Sequence, residues 1–258
     1  MSGAPDFDPR RDLHHPNPAM VEFQVSEIFD GRWYVGGPIE LGPGAVVLDI
    51  GANIGVAASF FAAECGAAEV HSFEPIPAIY ELLRRNLARF EACRTYNHGL
   101  GSASGPAEFT YYPRNDAMSS RFADPDGDEV LVRQAMLNVG TRPEYCDALL
   151  QGHFEVESIE CPIRTLAEVI AELAAPRIDL LKIDVERAEE DVLAGLDDPA
   201  WRRIDQVVLE VEQIDGEIER IETLLESRGF RLERAQEPQM AQTGVYYLYG
   251  SCRGGAER

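Results

Sequence analysis

Positive charge is scarce in this chain. Only 23 lysines and arginines stand against 45 aspartates and glutamates in 258 residues, a formal net charge of −22. Nucleic-acid backbones are bound through Lys/Arg surfaces, so DNA and RNA are excluded as partners, and an anionic membrane surface is disfavoured on the same ground. No apolar run approaches the roughly 20 residues that a membrane span needs. Residues 1–18 are polar and rich in Pro, Asp and Arg, unlike a secretory leader. The five cysteines (Cys65, Cys93, Cys146, Cys161, Cys252) include no C-x-x-C pair. A disulfide frame and a zinc site are therefore not expected, and reduced thiols in a cytoplasmic protein are. Apolar residues are plentiful at 45%, enough for a core, and the length suits one α/β domain with insertions.

The dinucleotide fingerprint G-x-G-x-x-G is also missing. In its place stands Val46-Val47-Leu48-Asp49-Ile50-Gly51-Ala52-Asn53-Ile54-Gly55, an apolar run that meets an Asp and then a turn bracketed by two glycines. A buried parallel strand reads as such a run, and the small, apolar, proline-free residues 56–65 predict a following helix. Glycines let backbone N–H groups approach a ligand, and the helix N-terminus adds a partial positive charge. Asp49 would repel a pyrophosphate but suits a ligand with a cationic head, such as the sulfonium and α-amino group of S-adenosylmethionine. A second strand, Val70-His71-Ser72-Phe73, ends in Glu74-Pro75, where an acid can accept both hydrogen bonds of a ribose diol.

Residues 1–19 read as a flexible arm and 251–258 as a tail, around a single domain over 20–250. In the segment 20–37 a short helix and an aromatic turn are expected, with Tyr34 a candidate to face the site; an exposed aromatic segment there would suit a homodimer contact. A helix over 77–90 carries Ile79, Leu82, Leu83 and Leu87 on one face. A third strand over 95–98 would bring Asn97, His98 and Gly99 near a bound base, and 107–112 alternates as a strand. The turn-rich insertion 113–154 is expected to be a lid with a short helix. Then follow a strand over 158–162, a helix capped by Thr165, a buried strand ending Lys182-Ile183-Asp184-Val185-Glu186, a helix over 189–196, and a strand over 206–212 ending acidic. A helix to Gly229 and two antiparallel strands close the chain.

Three motifs, Leu48-Asp49-Ile50-Gly51-Ala52-Asn53-Ile54-Gly55, Phe73-Glu74-Pro75 and Leu181-Lys182-Ile183-Asp184-Val185-Glu186, resemble in that order the FkbM-type S-adenosylmethionine-dependent methyltransferases, over residues 21–249. The segments Met118-Ser119-Ser120 and Thr243-Gly244-Val245-Tyr246-Tyr247-Leu248-Tyr249 resemble the subgroup of polyketide and nonribosomal peptide pathways, which is associated with O-methylation. The resemblance implies a Rossmann-like fold: a seven-stranded, mostly parallel sheet with an antiparallel last strand and helices on both faces. It implies a cofactor site of Asp49, Gly51, Asn53, Gly55, Glu74, Pro75, His98 and Gly99. The acceptor would be a small molecule, free or carrier-bound, methylated on a hydroxyl or carboxyl group. This chain departs from the family twice, with Arg187 where glycine is usual and Glu212 where histidine is common.

An alcohol acceptor needs a base to take its proton. The strand ends offer Asp184, Glu210 and Glu212, with Glu186 beside them, and Lys182 is either a catalytic group or the ion-pair partner of a neighbouring strand's acid. The same oxygens are compatible with Mg²⁺, although the absence of a nearby histidine favours a metal-free site. N- or C-methylation, a non-catalytic cofactor-binding scaffold and a nicotinamide dehydrogenase remain the alternatives, the last disfavoured by Asp49.

Overall fold

The structure, a computed structural model, describes residues 7–252. The N-terminal part holds α1 (Pro9–Asp12) and α2 (Pro18–Val25), followed by β1 (Val46–Ile50), α3 (Val56–Ala63), β2 (Glu69–Phe73), α4 (Pro77–Leu87) and β3 (Cys93–Tyr96). The middle holds β4 (Gly99–Leu100), β5 (Gly105–Tyr111), α5 (Pro125–Asn138), α6 (Pro143–Leu150), β6 (Glu157–Arg164) and α7 (Leu166–Glu172). The remainder runs β7 (Leu180–Ile183), α8 (Glu189–Ala194), α9 (Asp198–Trp201), β8 (Gln206–Glu212), α10 (Glu217–Ser227), β9 (Arg231–Ala235) and β10 (Val245–Ser251).

Seven strands form one sheet in the order β3-β2-β1-β7-β8-β10-β9. Pairings among β1, β2, β3, β7 and β8 are parallel, whereas β10 runs antiparallel to both of its neighbours. The expected Rossmann-like arrangement is the observed one. From β1 the chain builds outward through β2 and β3, then returns to lay β7 on the other side of β1. That reversal creates a crevice at the carboxyl ends of β1 and β7, where open α/β sheets bind ligands.

Period two sorts the side chains between the two faces of the sheet. Leu48, Ile50, Leu181, Ile183, Val207, Leu209 and Val211 join one core cluster with α7 and α10, while Val47, Leu180 and Val208 join another with α3 and α4. The alternation therefore puts Asp49, Lys182, Asp184 and Glu210 on the second face, toward α3.

Several expectations are corrected. Residues 7–19 are an ordered strap, not a flexible arm: Leu13 is buried, and the N–H of His14 donates to Asn86 Oδ1 at 2.8 Å. Residues 1–6 of that arm and 253–258 of the tail lie outside the described residues. The aromatic turn after α2 is folded inward, with Tyr34 buried and Trp33 stacked on Tyr247, whereas Phe23 of α2 stays 41% exposed. The third strand ends at Tyr96, and the strands expected at 107–112 and 158–162 belong to a separate sheet, β4-β6-β5. The 113–154 insertion contains two helices, of 14 and 8 residues, where a single short one was expected. The physical reason is that Pro125 and Pro143, which look like turn residues, each occupy the first turn of a helix, where a missing N–H costs nothing. Among the described residues no helix is long and apolar enough to cross a membrane.

Asn86 on α4 is the rivet of the strap. Its amide donates to the carbonyls of His14 and Ile54 at 3.1 and 2.9 Å and accepts from His14, all at 3% exposure. Asn86→Ala is expected to cost about 2 kcal/mol, because buried polar groups lose their partners; a urea titration would read this as a lower midpoint at unchanged slope.

Candidate active site

The site is organised by a buried ion pair between adjacent strands. Asp49 and Lys182 stand opposite each other in the β1–β7 register, and Lys182 Nζ lies 3.1 Å from Asp49 Oδ1 and 3.5 Å from Asp184 Oδ2. Lys182 is the only lysine in the sequence. Its ammonium also donates to the carbonyls of Gly51 at 2.7 Å and Ile50 at 3.3 Å. Burial works against its charge, but Asp49 and Asp184 outweigh that and raise its pKa above the ordinary value. Of the two sequence-based alternatives for Lys182, the structure supplies the cross-strand ion pair. Asp49 itself is fully buried, holds the Ser72 hydroxyl at 3.2 Å, and lies beneath the cavity rather than in its wall.

The loop above the pair is built tightly. Gly51 and Ala52 donate to Phe73 O at 3.2 and 3.0 Å, fastening the loop to β2. Gly51 has φ +73°, and a Cβ there would stand 1.7 Å from the carbonyl of Asp184. Gly55, at φ +92°, precedes α3 and packs on Leu83 and Leu87, so it shapes the turn without reaching the cavity.

A cavity of about 620 Å³ opens over this loop, within the size range of cofactor sites. Gly51, Asn53, Glu74, Pro75, Lys182, Asp184, Glu186 and Glu210 line it, which gathers most of the sequence-derived candidates. Glu74 sits at the end of β2, accepts from Ile76 N at 2.9 Å, and is pushed by burial up to about 8. His98 and Gly99 are not in its wall. His98 bonds through Nδ1 to the carbonyl of Gly99 at 3.1 Å beside Phe73, while Gly99 backs Pro75 and Phe109. Asn97 instead donates to the carbonyls of Glu74 and Pro75, at 2.9 and 3.0 Å, holding the acidic strand end in place. Glu212 borders a small neighbouring void together with Glu186, Arg187 and Glu210.

The acceptor-side wall carries linked acids. Tyr34 donates its hydroxyl to Asp184 Oδ2 at 2.6 Å with its ring over Lys182, as its candidacy for the site anticipated. Glu27, in the wide π-helical turn at Ser26–Asp30, accepts the Tyr247 hydroxyl and is raised to about 8 by burial. Such turns recur at functional sites. Burial, then the Asp184 charge, push Glu186 and Glu210 well above the ordinary carboxylate range. Among the described residues no group of three or more His, Cys, Asp or Glu side chains is arranged to hold a metal ion.

Sequence reasoning missed the residues that α2 and the insertion bring in. Gln24, Asn115 and Asp116 line the cavity, and each carries a buried polar atom (Oε1, Nδ2 and Oδ1) with no hydrogen-bond partner among the described residues. Asp116 also holds His15 of the strap at 2.7 Å. Unpartnered donors and acceptors beside Glu74 and a glycine loop fit a polar heterocycle carried on a ribose, which is what S-adenosylmethionine presents. Only the neighbouring Met118-Ser119-Ser120 segment signalled this stretch in the sequence.

Residues 49–232, more than half of the chain, match the Methyltransferase FkbM domain. The chain belongs to the FkbM methyltransferase family. It is an S-adenosylmethionine-dependent methyltransferase. A relative, 31-O-demethyl-FK506 methyltransferase FkbM of Streptomyces tacrolimicus, is 38% identical over 236 residues, 91% of either chain. The AMB antimetabolite synthetase AmbE of Pseudomonas aeruginosa is 36% identical over 92% of this chain, which spans 12% of that much longer protein. The crystal structure of a methyltransferase FkbM from Methylobacillus flagellatus superposes with a TM-score of 0.55 at 13% identity, covering 93% of this chain and 56% of that one. That likeness is one of fold.

Glu27 and Glu74 keep a proton in the folded enzyme that an unfolded glutamate, with its ordinary value of 4.5, has lost. Their contribution to stability is therefore complete below that value and is lost as pH rises toward about 8. Urea midpoints measured from about pH 5 to pH 8 should decline less steeply in Glu74→Gln than in the wild type.

Proposed function

We propose that this methyltransferase transfers the methyl group of S-adenosylmethionine to a hydroxyl oxygen of a small, largely apolar specialised metabolite. The observation that carries the reading is the composition of the cavity wall. Its one cation is Lys182, already paired with two carboxylates, whereas Glu27, Glu74, Asp116, Asp184, Glu186 and Glu210 all line it. A carboxylate acceptor would find no unpaired cation there to bind it, and a neutral hydroxyl would meet hydrogen-bond donors and acceptors. The rest of the wall, including Met20, Phe23, Met118, Leu131 and Met136, suits an apolar body. The FK506-type substrate named for the Streptomyces relative agrees with such an acceptor, and the match to a synthetase agrees with a carrier-bound one.

In this reading Glu74 holds the ribose diol, the backbone of the Gly51-Ala52-Asn53 loop and the Asn115–Asp116 pair hold the remaining polar edges, and Asp49 acts from beneath through Lys182. When bound, the cofactor supplies an electrophilic methyl carbon. Asp184 takes the acceptor's proton: the Tyr34 hydroxyl and the Lys182 ammonium orient its carboxylate toward the cavity. Glu186 and Glu210, whose acidity burial weakens, offer hydrogen-bonding groups that position the acceptor, and the close fit of strap and insertion excludes water. Glu212 serves the wall from behind.

The first test is calorimetric titration with S-adenosylhomocysteine. The wild type should bind, and Glu74→Ala should weaken binding about tenfold, the worth of a hydrogen bond to the ribose. Asp49→Ala should abolish binding by freeing Lys182, with circular dichroism as the fold control. An acceptor screen beginning with 31-O-demethyl-FK506, with and without Mg²⁺, follows. Asp184→Asn should lower kcat about 10²–10⁴-fold while binding S-adenosylhomocysteine as before. Cofactor binding by the wild type without methylation of any acceptor would favour the scaffold reading, and affinity for NAD instead would overturn both.

A further inference from the structure

The two departures from the family pattern bind each other. Arg187 Nε donates to Glu212 Oε2 at 2.7 Å, so the arginine in the usual glycine position and the glutamate in the usual histidine position form one ion pair. From the same guanidinium, Nη2 donates to Asp128 Oδ1 at 2.5 Å, on the first turn of α5. The other oxygen of Asp128 accepts the Tyr112 hydroxyl at 2.7 Å and the backbone N–H of Asp124 at 3.2 Å. One planar fork thus joins the loop after β7, the end of β8 and the insertion, and the three side chains are at most 12% exposed. Ser120 adds a second fastener from the insertion, its hydroxyl donating to the carbonyls of Val185 and Glu186.

Local backbone makes the arginine unexpected. Glu186 and Arg187 have φ of +53° and +71°, a left-handed pair that glycine would adopt without strain. A side chain kept at such a position is held by what it contacts, and here its contacts lead to the insertion. Helix α5 then supplies Leu131, Ala135, Met136 and, just past its end, Val139 to the cavity wall.

We propose that Arg187 is a positioning residue for the acceptor: it bolts the 113–154 insertion over the cavity and keeps the acceptor-side wall in register with Asp184. Its ion-pair partners are Asp124, Asp128 and Glu212, and none of them lines the main cavity. The role falls on the acceptor's half because Asp128 opens α5, the helix that supplies the apolar wall, and it rests on the methyltransferase reading only for what the cavity holds. A lysine has the charge but not the fork, and cannot serve Asp128 and Glu212 in the same geometry.

Hydrogen exchange of the full chain, followed by mass spectrometry, tests this without an acceptor. Arg187→Gly and Asp128→Asn should each raise exchange across 125–138 by about tenfold while β1 and β8 stay protected, and Arg187→Lys should fall between them and the wild type. The Kd for S-adenosylhomocysteine should stay within about threefold of the wild type, since Asn115 and Asp116 are held by their own turn and by His15 of the strap, without Arg187. With 31-O-demethyl-FK506, or any acceptor that the wild type methylates, the same variants should raise KM about tenfold at nearly constant kcat. Unchanged exchange over 125–138 in both variants overturns the proposal. So does a uniform rise across the sheet, which would mark Arg187 as a general stability residue, and so does a loss of kcat at constant KM. Failure of the wild type to bind S-adenosylhomocysteine would instead sink the methyltransferase reading, and the exchange result would still decide whether Arg187 bolts the insertion.

Discussion

Everything in this site hangs on one ammonium group placed between two strands. A lone lysine charge in the core is expensive to desolvate, and removing one partner of such a pair typically costs about 3–5 kcal/mol. Lys182 is tolerated because Asp49, Asp184 and two backbone carbonyls surround it. Those carbonyls belong to Ile50 and Gly51, the last residue of β1 and the first of the glycine turn. Satisfying the ammonium therefore fixes the start of the loop, the spacing of β1 and β7, and the direction of the Asp184 carboxylate. An arginine fork would not fit so compact a nest, whereas the ammonium acts as a point charge with three donors.

Around that fixed floor the walls come from elsewhere in the chain. Helix α2 and the turns after it contribute Gln24, Glu27 and Tyr34, the insertion contributes Asn115, Asp116 and the apolar roof, and Tyr247 of β10 backs Glu27 from behind the wall. Low local dielectric gives the wall its character. Burial and the Asp184 charge weaken the acidity of Glu186 and Glu210, which eases the repulsion between neighbouring carboxyl groups, while a cation and a phenol hold Asp184 in place. Floor and walls thus divide the labour between cofactor and acceptor.

The parts of this arrangement that were legible in the sequence are those governed by local physics. β8 spans the residues expected of it, 206–212, because a strand buried on both faces is rich in apolar residues, and the acids at its end and just after β7 mark where the sheet meets a cavity. The turn at Gly51 was readable because only glycine tolerates its approach to Asp184. What stayed illegible depends on distant partners. Nothing near His14 or His15 shows that Asn86 and Asp116, 72 and 101 residues away, will tie the strap down. The insertion hid its helices because a proline that opens a helix looks like one that makes a turn. His98 carried a plausible motif position, but the second sheet begins at Gly99 and draws its ring toward Phe73, away from the cavity.

The sole lysine has a consequence for how this enzyme meets reagents. Every other cationic side chain of the sequence is a guanidinium or an imidazole, and the one ε-amine is 2% exposed. Amine-directed acylation, reductive alkylation and succinimidyl cross-linkers accordingly find no side-chain target on the native surface, and Lys182 becomes reactive only when the sheet opens around it. The rate at which that amine is modified is then a clock for the opening of the core, reported from a single atom at the centre of the fold.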